Sequence, residues 1–592
     1  MHFLYARAKI MSEEEATTIA VPLHDDGRGK SYYEDIRLEN EKLQEYLKQM
    51  LPEEEVEQCL EAFRQPLPAT FRLLRRDAEF DRQMEALGAM GVSFSQLPFC
   101  TNAWQLSLNR REVRKQETLS SFHAWLVSAS ESGQTVRQEA VSMIPPLLLH
   151  VQPGQKVLDM CAAPGSKTSQ LVEHVEAHSG DSLVLANDAN RNRAFMLYHQ
   201  VRRLCSPSLL VAQFDASRFP QALAPFDRVL CDVPCSGDGT LRKNKTLWRE
   251  WDPKNAIGLH PLQRRIFQRG IDLLSPGGRI VYSTCSLNPV ENESVVASIL
   301  KENPHLSLVD CSNELPGLKR VAGLTNWKVV APDASCYYDS HAQVADEWRE
   351  KLKPSMFSDK IEEAIRTQLP RCLRIYPHLQ DSGGFFVAVF EKSVMGTVNI
   401  HSEIKAPVNK KIKTGEEPLA PIPQELLAQL QEYFFKETPT GVFITRSVTG
   451  KNINYVNASV ARTVFGIQAS RLINAGMAAF ERYSGHLEAS IVPYRLVGEC
   501  LKTLLPFLRD ELIVDIEDAQ WLVDLISHEE SRPLPEDVLP EWDVKKMGSF
   551  VLRHPSSESL IPVWCSANRK FRAFVPKLER PFFISALQSP KH

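Results

Sequence analysis

The stretch Val157-Leu158-Asp159-Met160-Cys161-Ala162-Ala163-Pro164-Gly165-Ser166-Lys167-Thr168 decides the fold, because it has the pattern of a strand, a turn and the start of a helix. Strand-like runs alternate with helical segments from here to about residue 300: KVLDM, LVLAND, LLVAQFD, RVLCDVP and RIVYSTC. This alternation is typical of a parallel sheet with crossover helices. Near-continuous apolar strands indicate a sheet that is buried on both faces. We therefore predict an α/β core with a Rossmann-like, doubly wound, mostly parallel sheet.

The turn at 161–167 has the composition of a cofactor-binding loop. Gly165 allows the backbone to approach a ligand closely, and the N-terminus of the following helix offers free N–H groups. The turn matches neither the Walker A motif nor G-x-G-x-x-G. Its glycine content is too low to cradle a pyrophosphate. A cofactor with one carboxylate and no phosphates fits better, and S-adenosylmethionine is such a molecule.

Three acidic residues follow at the ends of predicted strands: Asp188, Asp215 and Asp232. Ligands of doubly wound sheets bind beyond the carboxyl ends of the strands. The distance in sequence from Asp159 to Asp188 suits an acid that accepts hydrogen bonds from ribose hydroxyls, and Asp215 would then lie near the adenine. A single aspartate at a strand end is more often a helix cap, but three in series favour a binding site.

Two cysteines stand at the ends of two further predicted strands, Cys235 in Asp232-Val233-Pro234-Cys235 and Cys285 in Tyr282-Ser283-Thr284-Cys285. Most lone cysteines are small buried apolar residues. Two thiols beside a cofactor pocket instead favour covalent catalysis on a poorly nucleophilic atom, such as carbon 5 of a pyrimidine, which is activated by thiolate attack on carbon 6. We predict a helix start at Asn288-Pro289-Val290-Glu291, with Asn288 as the N-cap. That helix N-terminus would favour the thiolate form of Cys285.

The bulk composition limits the remaining possibilities. The 592 residues are enough for several domains, and a formal net charge of −4 means that nucleic-acid binding must rely on local basic patches. The twelve cysteines include no C-x-x-C pair, so we expect no zinc ribbon and no metal. The most apolar run, at 141–151, is short and contains Pro145 and Pro146, so we expect no membrane span.

The motifs C-A-A-P-G-S-K-T, D-V-P-C-S-G-D-G and Y-S-T-C-S resemble, in this order, the signature blocks of the Sun-family RNA (cytosine-5) methyltransferases. Two further segments, R-Q-E-A-V-S-M-I-P-P from Arg137 and N-E-L-P-G from Asn313, resemble the eukaryotic tRNA-modifying branch of that family. The resemblance covers residues 35–392 strongly and the C-terminal region more weakly.

The resemblance implies methylation of carbon 5 of cytosine in RNA, chiefly tRNA, with S-adenosylmethionine as the cofactor. It implies that Cys285 is the nucleophile and that Cys235 assists product release. Asp232 would hold the cytosine ring, and Lys167 would face the same pocket. The residues implied in cofactor binding are Cys161, Ala162, Ala163, Pro164, Gly165, Ser166, Lys167, Asp188, Asp215 and Asp232.

Composition and resemblance together predict an organisation for the whole chain. We expect a disordered tail at 1–35, an N-terminal α+β RNA-binding unit at 36–135, the methyltransferase domain at 136–392, a linker at 393–423, a helical unit at 424–500 and a PUA-like RNA-binding module at 501–592. The linker contains Lys410-Lys411-Ile412-Lys413. We expect a monomer that binds tRNA, other structured RNA or mRNA. From the family we expect a location in the nucleus, including the nucleolus, with a cytoplasmic fraction.

A segment directly after Cys235 interleaves basic and aromatic residues: Leu241-Arg242-Lys243-Asn244-Lys245-Thr246-Leu247-Trp248-Arg249-Glu250-Trp251. The target base must leave its stack to reach a buried thiol. We expect this segment to contact RNA phosphates and to stack on a base. An ordinary surface loop is the alternative.

Two alternatives concern the site itself. The thiol of Cys235 would attack the base if the chemistry followed the DNA-type arrangement. The chain would be a non-catalytic RNA-binding or chaperone protein if it kept the fold without the catalytic activity. The joint presence of Cys235, Cys285, Asp232 and Gly165 argues against the second alternative.

Overall fold

The computed structural model describes residues 36–588 except 75–77, 177–180, 395–416, 447–449, 467–470, 485–491, 541, 544–545, 556, 558 and 567–568. The expected tail at 1–35 and the Lys410-Lys411-Ile412-Lys413 segment lie outside the described residues. Among the helices in the described part of the chain, none has the length and apolar character needed to cross a membrane.

Helices and strands are interspersed along the described ranges. In chain order, the helices are α1 (Glu41–Leu47), α2 (Glu53–Arg64), α3 (Ala78–Ala89), α4 (Arg110–Lys115), α5 (Ser120–Glu131), α6 (Ile144–Leu148), α7 (Ser166–Glu176), α8 (Arg191–Val201), α9 (Leu247–Glu250), α10 (Pro253–Leu273), α11 (Glu293–Glu302), α12 (Glu363–Arg366), α13 (Pro377–Gln380), α14 (Gln424–Phe434), α15 (Ala458–Gly466), α16 (Leu501–Leu504), α17 (Ala519–Ser527) and α18 (Arg580–Gln588). The strands are β1 (Pro68–Leu73), β2 (Phe94–Leu97), β3 (Cys100–Asn109), β4 (Thr135–Arg137), β5 (Lys156–Asp159), β6 (Leu183–Asn187), β7 (Leu209–Ala212), β8 (Phe226–Asp232), β9 (Leu274–Thr284), β10 (Leu306–Leu308), β11 (Val321–Ala322), β12 (Val329–Val330), β13 (Tyr337–Tyr338), β14 (Leu373–Ile375), β15 (Phe385–Lys392), β16 (Ala420–Pro421), β17 (Val442–Thr445), β18 (Asn452–Val456), β19 (Leu472–Ala475), β20 (Met477–Arg482), β21 (Tyr494–Leu496), β22 (Ile513–Asp515), β23 (Arg532–Pro533), β24 (Gly548–Arg553), β25 (Leu560–Ser566) and β26 (Lys570–Ala573).

A central sheet carries the fold, with the strand order β11-β14-β15-β9-β8-β5-β6-β7-β19 and β10 paired to β15. The five strands β9, β8, β5, β6 and β7 pair in parallel. Val157 and Leu158 are both fully buried and belong to core clusters on opposite faces. The predicted α/β core with a mostly parallel sheet is therefore confirmed, because apolar residues at both alternating positions of β5 require cover on both faces.

Strand β15 lies inside this sheet rather than at its edge. It pairs antiparallel with β9 on one side and with β14 on the other. The two short strands β14 and β11 lie beyond it. Their few residues carry too little periodicity to be recognised in the sequence.

The N-terminal region divides into two parts. The strands β1–β4 form an antiparallel sheet in the order β2-β3-β1-β4, and this sheet shares a core with α3 and α5. The helices α1 and α2 instead pack on the central domain, in a cluster with Trp248, Trp251 and Tyr376. The apolar stripe of α1 and α2 is thus covered by residues that lie about 200 to 330 positions further along the chain, a pairing that no local pattern reveals.

The region 424–500 is not the helical unit that we expected. As far as it is described, it contains α14 and α15 but also the strands β17, β18 and β20, which form an antiparallel sheet with β16 and β21. The strand β16 falls within the expected linker. Short β-branched and aromatic runs such as Val442–Thr445 favour strands once neighbouring strands complete the ladder, and this tertiary pairing outweighs the helical periodicity nearby.

The C-terminal region is joined to the central sheet. The strand β19 pairs antiparallel with β7, with Leu472 opposite Ala212 and Ala475 opposite Leu210. Asn457 Nδ2 donates to the carbonyl of Ser182 at 2.7 Å, which adds a second connection. The last sheet, ordered β22-β24-β25-β26-β23, shares one core with β17, β18 and β20, so the core does not divide at residue 500.

Candidate active site

The site lies where the strand order of the central sheet reverses. The chain passes from β5 to β6 and β7 on one side and continues in β8 and β9 on the other, so the carboxyl ends of β5 and β8 border a crevice. The fully buried Asn187 holds this edge together. Its Nδ2 donates to the carbonyls of Met160 (3.0 Å) and Phe214 (2.9 Å), and its Oδ1 accepts from the N–H of Phe214 at 2.7 Å. The ends of β5 and β6 and the residues after β7 are therefore fixed relative to one another.

A half-buried ion pair joins the two sides of this crevice. Lys167 Nζ, at the start of α7, lies 2.7 Å from Asp232 Oδ2, at the end of β8. Ser283 Oγ donates to the other carboxylate oxygen at 2.8 Å, and the ring of Phe385 lies 5.4 Å from the ammonium. Burial opposes the charge of Lys167, but Asp232 more than offsets this effect, so the pKa of Lys167 lies above its usual value.

The two predicted cysteines meet at the same edge. The Sγ atoms of Cys235 and Cys285 are 3.2 Å apart, and both residues are partly buried. The contact with Cys285 and burial raise the pKa of Cys235 well above its ordinary value. Either sulfur can be the donor in this contact. Lys167 and Lys243 lie close enough to Cys285 to interact electrostatically with its thiolate.

The region after Cys285 differs from the predicted helix start. The helix α11 begins at Glu293, with Asn292 at its N-cap position, and residues 288–291 form a turn before it. Asn288 Oδ1 accepts from the N–H of Val290 at 2.9 Å, so its side chain closes a local turn instead of capping a helix. No helix N-terminus therefore lies directly after Cys285 among the described residues. The nearby cations are Lys167 and Lys243.

Glu291, which the sequence pattern placed in the first helical turn, points into the site instead. It is fully buried and accepts hydrogen bonds from Ser236 and Ser286, the residues that follow the two cysteines. The sequence contains one hint of this role, because a carboxylate in an otherwise apolar and uncharged stretch, L-N-P-V-E-N, needs partners when it is buried.

The turn at 161–167 runs from β5 to α7, as predicted. The φ of Gly165 is +115°, and a Cβ added there would lie 3.0 Å from side-chain carbons of Leu197 and Val201 in α8. The glycine is thus required by the close approach of α8, whereas we expected the close approach of a ligand. The N–H of Ala162 donates to the carbonyl of Asn187 at 2.7 Å, which ties the turn to the end of β6.

The two remaining acidic candidates differ from each other. Asp188 is buried, accepts from the N–H of Asn190 at 2.9 Å and pairs with Arg193 at 3.1 Å, and burial raises its pKa. Asp215 is exposed and accepts from the N–H of Ser217 at 3.0 Å, which caps a short 3₁₀ turn at Ala216–Arg218. The side chain of Asp215 thus has the capping role that is common for such residues. Its contact with adenine stays a prediction.

The donor and acceptor set in the crevice fits S-adenosylmethionine, which the family uses as its methyl donor. Asp159 is almost fully buried, and burial raises its pKa to about 7. Its Oδ2 accepts from Thr168, whereas Oδ1 has no hydrogen-bond partner among the described residues. A buried acceptor without a donor suits an ammonium or hydroxyl group of a ligand. The carboxylates of Asp159, Asp188 and Asp232 also suit a ligand that carries a positive charge.

The basic and aromatic segment at 241–251 is largely structural. Arg242 is buried and donates to the carbonyls of Gln65 (3.0 Å), Pro66 (2.7 Å) and Ser382 (2.9 Å), and Trp248 and Trp251 are buried beneath α1. The prediction that this segment offers aromatic rings for stacking on a base is therefore wrong. The interleaved pattern arises because one face of the segment packs on α1 and α2.

The two lysines of the same segment differ in where their ammonium groups lie. Lys245 extends into solvent, whereas the ammonium of Lys243 turns inward and pairs with the buried carboxylate of Glu139. Burial, with Arg110 nearby, lowers the pKa of Lys243 to about 8. Lys243 of the catalytic domain thus lies within electrostatic range of both Arg110, in the N-terminal unit, and Cys285.

The comparisons with known proteins identify the family of this chain. Residues 146–391 match the family model described as "16S rRNA methyltransferase RsmB/F". The chain is 35% identical to a tRNA (cytosine(34)-C(5))-methyltransferase of Drosophila melanogaster, over 92% of this chain and 85% of that protein. It is 40% identical to a multisite-specific tRNA:(cytosine-C(5))-methyltransferase of Saccharomyces cerevisiae, over 66% of this chain and 62% of that protein. A methyltransferase homologue of known structure from Pyrococcus horikoshii is 25% identical and covers 60% of this chain and 99% of its own, with a TM-score of 0.41.

The family resemblance read from the three motifs is thereby confirmed. The family model spans all three motifs, and the similarity to the Drosophila protein extends through the C-terminal region. The protein therefore belongs to the RsmB/F family of RNA cytosine-C5 methyltransferases.

Proposed function

We propose that this protein methylates carbon 5 of cytosine in tRNA, with Cys285 as the nucleophile. The observation that carries the proposal is the contact between Cys235 and Cys285 beside the Lys167–Asp232 pair, at the crevice of a methyltransferase-family sheet. Two relatives that align over most of the chain are named for the same reaction on tRNA. The methyl group comes from S-adenosylmethionine, which supplies an electrophilic carbon.

The first step needs a thiolate at Cys285. Lys167 and Lys243 interact electrostatically with Cys285 and stabilise its thiolate, which forms once the thiol proton has passed to solvent. The sulfur of Cys285 attacks carbon 6 of cytosine, a C–S bond forms, and the electron pair of the ring double bond moves to carbon 5. Asp232, held in place by Lys167 and Ser283, hydrogen-bonds the ring and stabilises its activated form.

The second step releases the product. After carbon 5 has gained the methyl group, its proton leaves, the double bond between carbons 5 and 6 forms again, and the C–S bond breaks to return the Cys285 thiolate. Cys235 lies beside that bond and assists this β-elimination: as a thiolate, after its own proton has passed to solvent, it accepts the proton that leaves carbon 5.

Transfer of a tritiated methyl group from the cofactor to unmodified tRNA, followed by bisulfite sequencing of that tRNA, tests this proposal. We expect label in the RNA and protected cytosines at discrete positions. Label that leaves every cytosine sensitive to bisulfite would mean that another atom is methylated. Binding of tRNA without any transfer would favour the non-catalytic alternative.

We further propose that the C-terminal region is an RNA-binding module of the PUA type and that the protein acts as a monomer in the nucleus. The attachment of β19 to β7 supports a module held in a fixed position relative to the crevice, since a strand pairing leaves little freedom between the two parts. Crosslinking of tRNA to the full chain, with the crosslinked residues mapped by mass spectrometry, tests the module. The molecular mass from sedimentation equilibrium tests the monomer, and imaging of the tagged protein tests the nuclear location.

A further inference from the structure

Two serines follow the two cysteines, and both turn toward one side chain. Ser236 comes directly after Cys235, and Ser286 comes directly after Cys285. Their hydroxyl oxygens are 3.2 Å apart, which matches the 3.2 Å between the two sulfur atoms. The loops that carry the thiols are therefore in contact at two successive positions.

The carboxylate of Glu291 joins these two loops. Its Oε1 accepts from the N–H of Ser236 at 2.8 Å, and its Oε2 accepts from Ser236 Oγ at 2.5 Å and from Ser286 Oγ at 2.6 Å. Gln263 Nε2, from α10, donates to Oε1 at 2.9 Å. All four partners can donate and so favour the ionised carboxylate, whereas burial acts against it and raises the pKa of Glu291. A buried charge with this many hydrogen bonds has little freedom to move.

The backbone of Glu291 is also fixed. Its carbonyl accepts from the hydroxyl of Tyr282 at 2.6 Å, and Tyr282 is a fully buried residue of β9, three positions before Cys285. The turn at 288–291 thus places the backbone of Glu291 against β9, the strand that ends next to Cys285. Glu291 makes no hydrogen bond to either sulfur in this network, although its charge acts on Cys235 and raises the pKa of that thiol. Its contacts with the two cysteine loops run through the two serines.

We propose that Glu291 is a positioning residue that sets the distance and orientation of Cys285 relative to Cys235 through Ser286 and Ser236. This inference rests on the proposed function, because it concerns the same two thiols. The attacking sulfur must approach carbon 6 within a narrow range of distance and angle, and a displacement of about 1 Å costs roughly a hundredfold in rate.

The substitution Glu291→Gln tests the proposal, because it preserves the size of the side chain and removes the charge. With the amide nitrogen at the Oε1 position, the N–H of Ser236 and Nε2 of Gln263 lose their acceptor; with it at the Oε2 position, both serine hydroxyls must reverse and accept, and the hydrogen bonds to a charged group become neutral ones. We expect kcat for tRNA methylation to fall roughly a hundredfold, while KM for tRNA and the Kd of S-adenosylmethionine stay within about twofold of wild type. The matched control is Glu302→Gln, at the exposed end of α11, which keeps wild-type kcat.

A second measurement isolates the attack step. In a Cys235→Ala background, where product release is blocked, the rate of covalent protein–RNA adduct formation reports the reaction of Cys285 alone. Adding Glu291→Gln should slow adduct formation by a factor similar to the loss in kcat. A residue that only stabilised the fold would leave this rate unchanged in protein that is shown to be folded.

The serines provide an independent route if Glu291→Gln does not fold. We expect Ser236→Ala and Ser286→Ala each to lower kcat with little change in KM, and their effects to be non-additive with Glu291→Gln, because all three act through one contact. Wild-type kcat in folded Glu291→Gln, or in both serine variants, would overturn the proposal. A wild-type chain that transfers no methyl group would instead overturn the proposed function, so the two failures are distinguishable.

Discussion

Cys235 and Cys285 are 50 residues apart in the chain, yet their sulfur atoms lie 3.2 Å apart at the ends of the neighbouring parallel strands β8 and β9. Asp232 pairs with Ser283 in the register of these strands. Because the two strands are parallel and in register, both chain segments leave the sheet at the same edge. Each cysteine follows the end of its strand by one to three residues. The geometry of two adjacent strands thus creates the thiol pair.

The first prediction concerns the division of labour between these thiols. Cys285→Ala should abolish methyl transfer, because it removes the sulfur that attacks the ring from the end of β9. Cys235→Ala should instead accumulate a covalent adduct with RNA, visible as a slower band on denaturing gels. An adduct formed by Cys285→Ala, and none by Cys235→Ala, would reverse the roles of the two cysteines.

The second prediction concerns a buried ion pair behind the site. The side chains of Arg374 and Glu293 are fully buried, and two hydrogen bonds of 2.6 and 2.8 Å join them. Arg374→Met should lower the free energy of unfolding by about 3–5 kcal/mol, because it leaves the carboxylate of Glu293 uncompensated. The double variant Arg374→Met/Glu293→Gln should recover much of this loss. Denaturant unfolding measures the stability of the single and the double variant. Equal losses of stability in the two would contradict the claim that an uncompensated Glu293 carboxylate causes the loss.

The third prediction concerns the backbone next to the nucleophile. A Cβ at Gly239 would lie 2.3 Å from the carbonyl oxygen of Gly384 and 2.8 Å from that of Cys285. Gly239→Ala should therefore displace the Cys285 loop and lower both stability and kcat. Gly258→Ala is the control, since its Cβ meets nothing within 4 Å on an exposed face of α10. This control should gain up to about 1 kcal/mol, because alanine restricts the unfolded chain more than glycine does. Unchanged activity in Gly239→Ala would contradict the steric argument.

The fourth prediction is a pH dependence of stability at the junction of the N-terminal, central and C-terminal regions. Burial, with Glu499 and Glu131 nearby, raises the pKa of Glu579 to about 7, although Arg202 and Arg203 act in the opposite direction. A carboxyl group whose pKa is higher in the folded state stabilises the protein at low pH, and this contribution is lost as the pH rises through the folded pKa.

Glu579→Gln should therefore be no more stable than wild type below about pH 4.5, the unfolded pKa, and increasingly more stable up to about pH 7. Above that pH the difference should level off at no more than about 3 kcal/mol, from 1.36 kcal/mol for each pKa unit. Denaturant midpoints at several pH values measure the difference. A difference that is constant with pH would show that Glu579 is not protonated preferentially in the folded protein.

The fifth prediction separates structural from RNA-contacting cations in 241–251. Arg242→Ala should destabilise the protein by about 2–4 kcal/mol, because it leaves the carbonyls of Gln65, Pro66 and Ser382 without their donor. Lys245→Ala should change stability by less than about 0.5 kcal/mol, as is usual for an exposed side chain. Thermal unfolding measures the change in stability of each variant, and the salt dependence of tRNA binding measures whether the replaced cation contacts RNA phosphates. A folded Arg242→Ala protein with normal stability would contradict the structural role.

Several features could be predicted from local sequence because they depend on residues close together in the chain. The strand–turn–helix at 157–168 and the alternation of strands and helices identify the sheet and its crevice. The two cysteines and Asp232 stand next to strand ends in the sequence itself, so the parallel order of the sheet was enough to bring them together.

Other features could not be predicted, because they depend on partners far away in the chain. The role of Glu291 comes from Ser236, which lies 55 positions earlier, and the burial of Arg242 comes from Gln65 and Pro66, more than 170 positions earlier. The helix N-terminus expected after Cys285 was displaced because Asn288 closes a turn and Glu291 is held by the two serine loops. Local propensity is worth only tenths of a kcal/mol per residue, and such buried contacts outweigh it.

The amino-acid sequence by itself determined the parallel core, the cofactor turn and the chemical identity of the thiol pair, since each depends on short-range patterns of apolar, small and reactive residues. Only the tertiary structure decided which charges are buried, how β19 extends the catalytic sheet and which carboxylate holds the two cysteine loops. The physical reason is that burial and hydrogen bonding of a charged side chain depend on what packs against it, and in this protein those partners come from distant segments.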